Sequence, residues 1–250
     1  MGKIISMIGC KGGCGVTTLN AALGHELAEL GNNVCLMDGC IGMRALDMVL
    51  HVQDQVVFDL YDLCEDICSM EQALLRIGSN LSMLAAPQID IGSELTEKKI
   101  QDLLKRLQKR FDYILIDLPD AFSAASASFW KKADETLLIT VPGEIAGRNL
   151  ERLCGLIREE TQQPISCIVN ASQGNSKQNE RLQGLIDYLD IPIIGIIPFY
   201  EAVFTETLDQ RDYKDYPARV KAAARDAAKR INENSASLQL YRTRRLPWRS

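Results

Sequence analysis

Seven short apolar runs, near residues 3–8, 33–37, 81–85, 112–117, 135–141, 165–169 and 193–197, alternate along the chain with stretches of helical character. Each run is short and nearly continuous, the pattern of a strand covered on both faces in a parallel sheet. After the first run, Leu19, Leu23, Leu27 and Leu30 recur at three- or four-residue spacing and predict a helix, with Gly31 where its C-terminal cap is expected. Strands alternating with helices predict an α/β fold with a doubly wound, mostly parallel sheet and helices on both faces. No internal repeat or low-complexity linker breaks residues 1–232, which read as one domain. After the polar break Asn232-Glu233-Asn234-Ser235, residues 233–250 read as a separate basic tail.

Composition narrows the function classes. A chain of 250 residues with 46% hydrophobic content can bury a sizeable single core. Its net charge of −5 argues against a general nucleic-acid binder. No run of eighteen apolar residues and no N-terminal signal segment is found, so neither a membrane span nor secretion is expected. Eight cysteines without a C-x-x-C pair suit a reducing cytoplasm. Asp54, Asp59, Asp62, Glu65, Asp66 and Glu71 make an acidic stretch that reads as solvated surface. His25 falls within the predicted helix and His51 stands alone, so neither suggests a metal cluster.

The chemistry concentrates at Gly9-Cys10-Lys11-Gly12-Gly13-Cys14-Gly15-Val16-Thr17-Thr18, between the first strand and the first helix. A strand, a glycine-rich turn and a helix N-terminus gather backbone N–H groups in one concavity, where the helix dipole further favours a polyanion. In the phosphate-loop pattern G-x-x-x-x-G-K-[ST], a lysine reaches the outer phosphates and the hydroxyl meets Mg²⁺. Gly15 and Thr17 fit that pattern, Gly9 fits its first position less closely, and Val16 stands where the lysine belongs. Ligands of such sheets bind at the carboxyl ends of the strands, where this loop, Asp38, Asp117 and Asn170 all emerge.

Lys11 to Thr18 resembles the deviant Walker A box of the MinD/ParA family of P-loop ATPases, K-G-G-x-G-K-T-T. Val34-Cys35-Leu36-Met37-Asp38-Gly39-Cys40-Ile41-Gly42 is similar to the family's second strand and switch I, D-x-D-x-G, with Cys40 at the second aspartate. Ile114-Leu115-Ile116-Asp117-Leu118-Pro119 looks like its Walker B strand and D-x-P switch II. The resemblance implies ATP or ADP with Mg²⁺, held by Lys11, Gly12, Gly13, Cys14, Gly15, Val16, Thr17 and Thr18, with Asn170 and Pro198 beside the base. It implies Thr17, Asp38 and Asp117 for the cation, Lys11, Asp38 and Cys40 at the catalytic positions, and a homodimer through the nucleotide face in which Lys11 reaches the partner's phosphates. The function it implies is spatial positioning in cell division, chromosome partition, or flagellar or pilus placement, with an unknown protein regulator or cargo.

The departures set the expected chemistry. Valine at position 16 supplies none of the charge-assisted hydrogen bonds of a lysine, each worth roughly 1.5–3 kcal/mol. A thiol at position 40 is a poor acceptor for placing an attacking water. Slow or absent hydrolysis is therefore expected, and a nucleotide-independent scaffold on the same fold is the rival reading. A second rival is a redox- or metal-responsive switch built on Cys10, Cys14 and Cys40, since a helix N-terminus and a lysine favour low-pKa thiolates.

Two further surfaces invite partners. In the tail, residues 238–249 combine four arginines with Leu238, Tyr241 and Trp248, a composition suited to peripheral contact with the inner face of the cell membrane. Arg242 and Arg245 share the helical face of Leu238, and Pro247 interrupts the last turn, so the amphipathic pattern is imperfect. Arg148, Arg152 and Arg158 offer a basic helix face for DNA, the less favoured option.

Overall fold

The computed structural model describes residues 1–88, 95–172, 177–200 and 213–233. In chain order these form β1 (Lys3–Gly9), α1 (Val16–Glu29), β2 (Val34–Asp38), α2 (Leu46–Val49), α3 (Leu60–Cys64), α4 (Met70–Ala73), β3 (Leu74–Arg76), β4 (Leu81–Leu84), α5 (Glu97–Gln108), β5 (Tyr113–Leu118), α6 (Ala124–Trp130), β6 (Glu135–Thr140), α7 (Glu144–Glu160), β7 (Ile165–Ser172), α8 (Lys177–Leu189), β8 (Ile193–Pro198) and α9 (Ala218–Glu233). The tail reading for 238–249 lies outside the described residues.

The strands lie in the order β3-β4-β2-β5-β1-β6-β7-β8, parallel throughout except for β3 against β4. The doubly wound sheet expected from the apolar runs is therefore present. β3 is an addition: three residues at the sheet edge, one of them Arg76, give no apolar run to read.

Alternate residues of each strand feed two cores, as the two-residue strand period requires. Ile4, Ile8, Ile114, Ile116 and Leu118 face α5 to α8, where Leu103, Leu107, Phe129, Trp130, Leu150 and Ile157 close the layer. Ile5, Met7, Leu115, Leu137 and Ile139 face α1 and α9, meeting Leu19, Leu23 and Leu27 from one and Ala227, Ala228 and Ile231 from the other. The predicted leucine stripe is thus the buried face of α1, and Gly31 follows its last turn with its N–H closing onto the Ala28 carbonyl at 2.9 Å.

The acidic stretch stays at the surface, but with defined partners. Asp59 caps α3 through the N–H groups of Tyr61 and Asp62. Glu65 pairs with Lys99, Asp66 with Arg106 at 3.7 Å, and Glu71 with Arg110, so the segment is laced onto α5 and the turn that follows it. Ion pairs this exposed contribute little stability each and chiefly fix the segment's position.

Candidate functional site

The sheet register assembles the site. Asp117 on β5 is the register partner of Asp38 on β2 and of Met7 on β1, so the second and fifth strands deliver two carboxylates side by side next to the loop leaving β1. Around that loop lies a cleft of about 550 Å³ lined by Lys11 through Thr18, Cys40, Asp117, Asn170 and Pro198. All the sequence-predicted nucleotide and cation positions except Asp38 thus line one cavity; Asp38 is fully buried, and Cys10 lies outside the lining.

The loop is held by its neighbours rather than by itself. Asn149 of α7 donates to the Cys10 carbonyl at 2.7 Å, and Asn170 of β7 donates to the Cys14 carbonyl at 2.8 Å. The Ile139 carbonyl accepts the Cys10 N–H at 2.9 Å and the Cys14 thiol at 3.4 Å. Gly15 caps α1 at φ 90°, and a Cβ there would meet the Asn170 amide nitrogen at 2.5 Å, so a side chain is excluded both by conformation and by space. At Gly9 a Cβ would come within 2.6 Å of Cys14 Sγ and 2.9 Å of Val16 Cγ2, which places Val16 packed back against the end of β1. Lys11 is exposed. The first-turn N–H groups of α1 have no intrahelical acceptor, as at any helix start, and open towards the cleft.

The cation corner is built differently. Asp38 Oδ1 accepts the Cys40 N–H at 2.8 Å, and Oδ2 accepts the N–H groups of Ala45 and Leu46, each at 3.0 Å. The carboxylate expected to serve a cation therefore first fastens the segment 40–46 to the sheet. Burial raises its pKa, and those three backbone donors offset part of the rise. Asp117 is pushed up to about 7, first by burial and then by the Asp38 charge, against the Thr17 hydroxyl that hydrogen-bonds it. Its Oδ2 is buried with no hydrogen-bond partner. Among the described residues, one group of three metal-ligand side chains lies close enough to share an ion: Asp38, Cys40 and Asp117, with donor atoms within 4.8 Å of one another.

The low-pKa thiolates on which the rival cysteine-switch reading drew are not what the packing favours at Cys10, Cys14 and Cys40. Burial is the largest influence on all three and drives each thiol above its ordinary value, with the Asp117 and Asp38 charges adding to the rise at Cys40. The helix N-terminus and Lys11 do not outweigh desolvation in a packed loop. All eight cysteines are free thiols.

Several residues of the site carry no signal in one dimension. Asn149 is 139 positions from the carbonyl it holds. Asp120 accepts the N–H groups of Phe122 and Ser123 at 2.6 and 2.7 Å and so shapes the turn after the D-x-P run. Tyr200, Tyr216, Val220 and Ala224 close the apolar end of the cleft. Both histidines line a neighbouring pocket of about 200 Å³, where His25 stacks on Tyr213 with ring centroids 5.1 Å apart. Of the basic helix face, Arg158 donates to the Leu189 carbonyl at 2.5 Å and Arg152 lies over the Phe122 ring at 5.6 Å. No helix among the described residues is long and apolar enough to cross a membrane.

The residues fit a phosphate at the loop and a cation at the corner. The loop offers an open helix N-terminus, and the orphaned oxygen is a buried acceptor on Asp117, a residue that lines the cavity. Two lining positions fit less well: Val16, which brings no cation to the loop, and Cys40, a weak acceptor at the corner. A family model described as an AAA domain matches residues 2–168. The septum site-determining protein MinD of Bacillus subtilis is 31% identical over 96% of this chain and 92% of its own length. Among solved structures, the MinC:MinD cell division protein complex of Aquifex aeolicus superposes with a TM-score of 0.81 at 27% identity, covering 95% of this chain and 98% of that one. MinD complexed with Mg-ADP from Pyrococcus horikoshii superposes with a TM-score of 0.79 at 26% identity, covering 94% of this chain and 97% of that one.

Proposed function

The chain belongs to the MinD/ParA family of P-loop ATPases, and on that premise we propose that it is a nucleotide-dependent positioning factor of cell division that binds ATP or ADP with Mg²⁺ and hydrolyses it slowly or not at all. The observation that carries this reading is Asp117 Oδ2, an unpartnered buried acceptor beside a phosphate-type loop. When bound, ATP with Mg²⁺ supplies the phosphoanhydride bond and the difference between two nucleotide states. Backbone N–H groups from Lys11 to Thr18 bind the phosphates, Thr17 and Asp117 hold the cation, and Asn170 and Pro198 flank the base.

Turnover is limited by what the cleft lacks. Val16 offers no charge to the outer phosphates, and Cys40 offers a weak acceptor where a carboxylate would orient water. Lys11 recovers part of the missing charge from the opposite subunit, which makes nucleotide binding and dimerisation mutually dependent. Exposed Met43, Phe122 and Ile145 follow the C-terminal ends of β2, β5 and β6, an apolar rim suited to a second subunit or a protein regulator.

Titration of the purified protein with ATP and ADP, with and without Mg²⁺, tests this reading. Mg²⁺-dependent binding and an ATP-promoted dimer in sedimentation are expected. Absence of binding at millimolar nucleotide would favour the scaffold reading, which Val16 and Cys40 support. For the basic tail we propose contact with anionic membrane. The full chain should then sediment with anionic vesicles and a chain lacking residues 236–250 should not. DNA binding is disfavoured by the engagement of Arg152 and Arg158 within the fold. An ATP-dependent mobility shift would reinstate it.

A further inference from the structure

We infer that, in the absence of nucleotide, Cys40 turns the cation corner into a mixed oxygen–sulfur site that takes a borderline-soft divalent cation, Zn²⁺, in preference to Mg²⁺. The inference rests on the cation role proposed for Asp117 and names the class of ion. One donor atom from each of Asp38, Cys40 and Asp117 lies within 4.8 Å of the other two, within reach of a single ion. Cys40 Sγ stands 3.9 Å from the Asp117 carbonyl, so the sulfur belongs to this corner and not to the loop thiols.

Two observations say that the corner can accept a ligand. Asp117 is 1% exposed, and its Oδ2 has no hydrogen-bond partner. A carboxylate has about four acceptor positions. Asp38 spends three of them on the N–H groups of Cys40, Ala45 and Leu46, and the one left on Oδ1 faces the Cys40 thiol, whose proton a metal ion would replace.

Donor chemistry then selects the ion. Mg²⁺ demands oxygen ligands in near-ideal octahedral geometry and sheds water reluctantly, so a sulfur in its shell displaces a better ligand. Zn²⁺ is bound by cysteine sulfur and aspartate oxygen alike, commonly with four ligands, and three protein donors leave one position for water or a phosphate oxygen. Coordination replaces the Cys40 S–H bond by a sulfur–metal bond and releases the proton to solvent.

The test uses the full-length protein, stripped by chelator and free of nucleotide, titrated with Co²⁺ as a spectroscopic probe. A near-ultraviolet sulfur-to-cobalt charge-transfer band is expected. Stoichiometric Zn²⁺ should abolish it, and a large excess of Mg²⁺ should not. Cys40→Ser should lose the band and weaken Zn²⁺ binding by about tenfold or more. Cys40→Asp supplies a hard ligand at the same position and should lose the band while gaining Mg²⁺ affinity; it keeps the test readable if the serine variant does not fold. No band in the wild type, a band that survives in both folded variants, or displacement by Mg²⁺ as readily as by Zn²⁺ would overturn the inference. Because nucleotide is absent, a protein that binds Mg-ATP but gives no cobalt band refutes this inference alone. A cobalt band without ATP binding refutes only the nucleotide reading.

Discussion

The two halves of the cleft differ in how completely their polar groups are paired. On the loop side, Asn149 and Asn170 hold the Cys10 and Cys14 carbonyls and the Ile139 carbonyl receives two donors, so the protein alone fixes the conformation. On the corner side, two buried carboxylates face each other beside a thiol and one oxygen has no partner. A preorganised loop costs little to bind an anion, because its donors are already aimed. A corner with surplus acceptors costs stability until a cation arrives.

The largest expected effect tests that surplus. An Asp117 pKa of about 7 in the fold exceeds the ordinary carboxylate value of about 4 in an unfolded chain. Between those values the folded state holds a proton that the unfolded chain has released. This contribution to stability is full below about pH 4, declines as pH rises towards 7, and is lost above. Asp117→Asn, studied in chelator, should therefore match the wild type at pH 4 and exceed it by on the order of 4 kcal/mol at pH 8. Urea denaturation across that range measures it, and equal stability at pH 8 would show the corner to be already compensated.

Next in size is the charge missing from the loop. Val16→Lys restores one or two charge-assisted bonds and should tighten ATP roughly ten- to a hundredfold. Phosphate release should rise further when Cys40→Asp is added. A wild type that already turns over as fast as this double variant would remove the distinction between a prepared loop and an impaired site.

A smaller effect separates the two supports of the loop. Asn170→Ala leaves the Cys14 carbonyl without its donor and should cost about 1–2 kcal/mol of stability. Asn149→Ala should do the same at Cys10. Each should also weaken ATP binding, as calorimetry can show; intact affinity in both would mean that the loop holds its shape unaided.

The smallest change in stability belongs to Lys11→Ala. Lys11 is exposed, and its removal should alter folding by less than about 0.5 kcal/mol. Nucleotide-promoted dimerisation should nevertheless disappear in sedimentation with ATP and Mg²⁺. A dimer that persists would place the compensating charge elsewhere.

How much of this was readable in one dimension follows from the range of each interaction. The parallel strands are legible because burial on both faces writes a continuous apolar run, and α1 because four leucines repeat with its period. β3 and α2 to α4 span three to five residues each, too short for any period to show. The glycine loop was legible because its backbone requirement is local, whereas the asparagines that hold it act across more than a hundred positions. Asp38 reads as a cation ligand from its motif, but its three backbone donors could be known only from the path of residues 40–46. The rival reading of low-pKa cysteines drew on a helix N-terminus, which is visible in sequence, and missed the depth of burial, which is not.

The pairing of Asp38 with Asp117 across β2 and β5 makes the sheet a ruler for the site. Neighbouring strands stand about 4.8 Å apart in any well-formed sheet. The gauge between the two carboxylates is therefore set by backbone hydrogen bonding and is insensitive to what the adjoining loops carry. Substitution at position 40 can change the kind of ion that fits between them while the dimensions of the gap stay the same. A lineage can thus exchange one chemistry for another at this corner without refitting the frame that measures it.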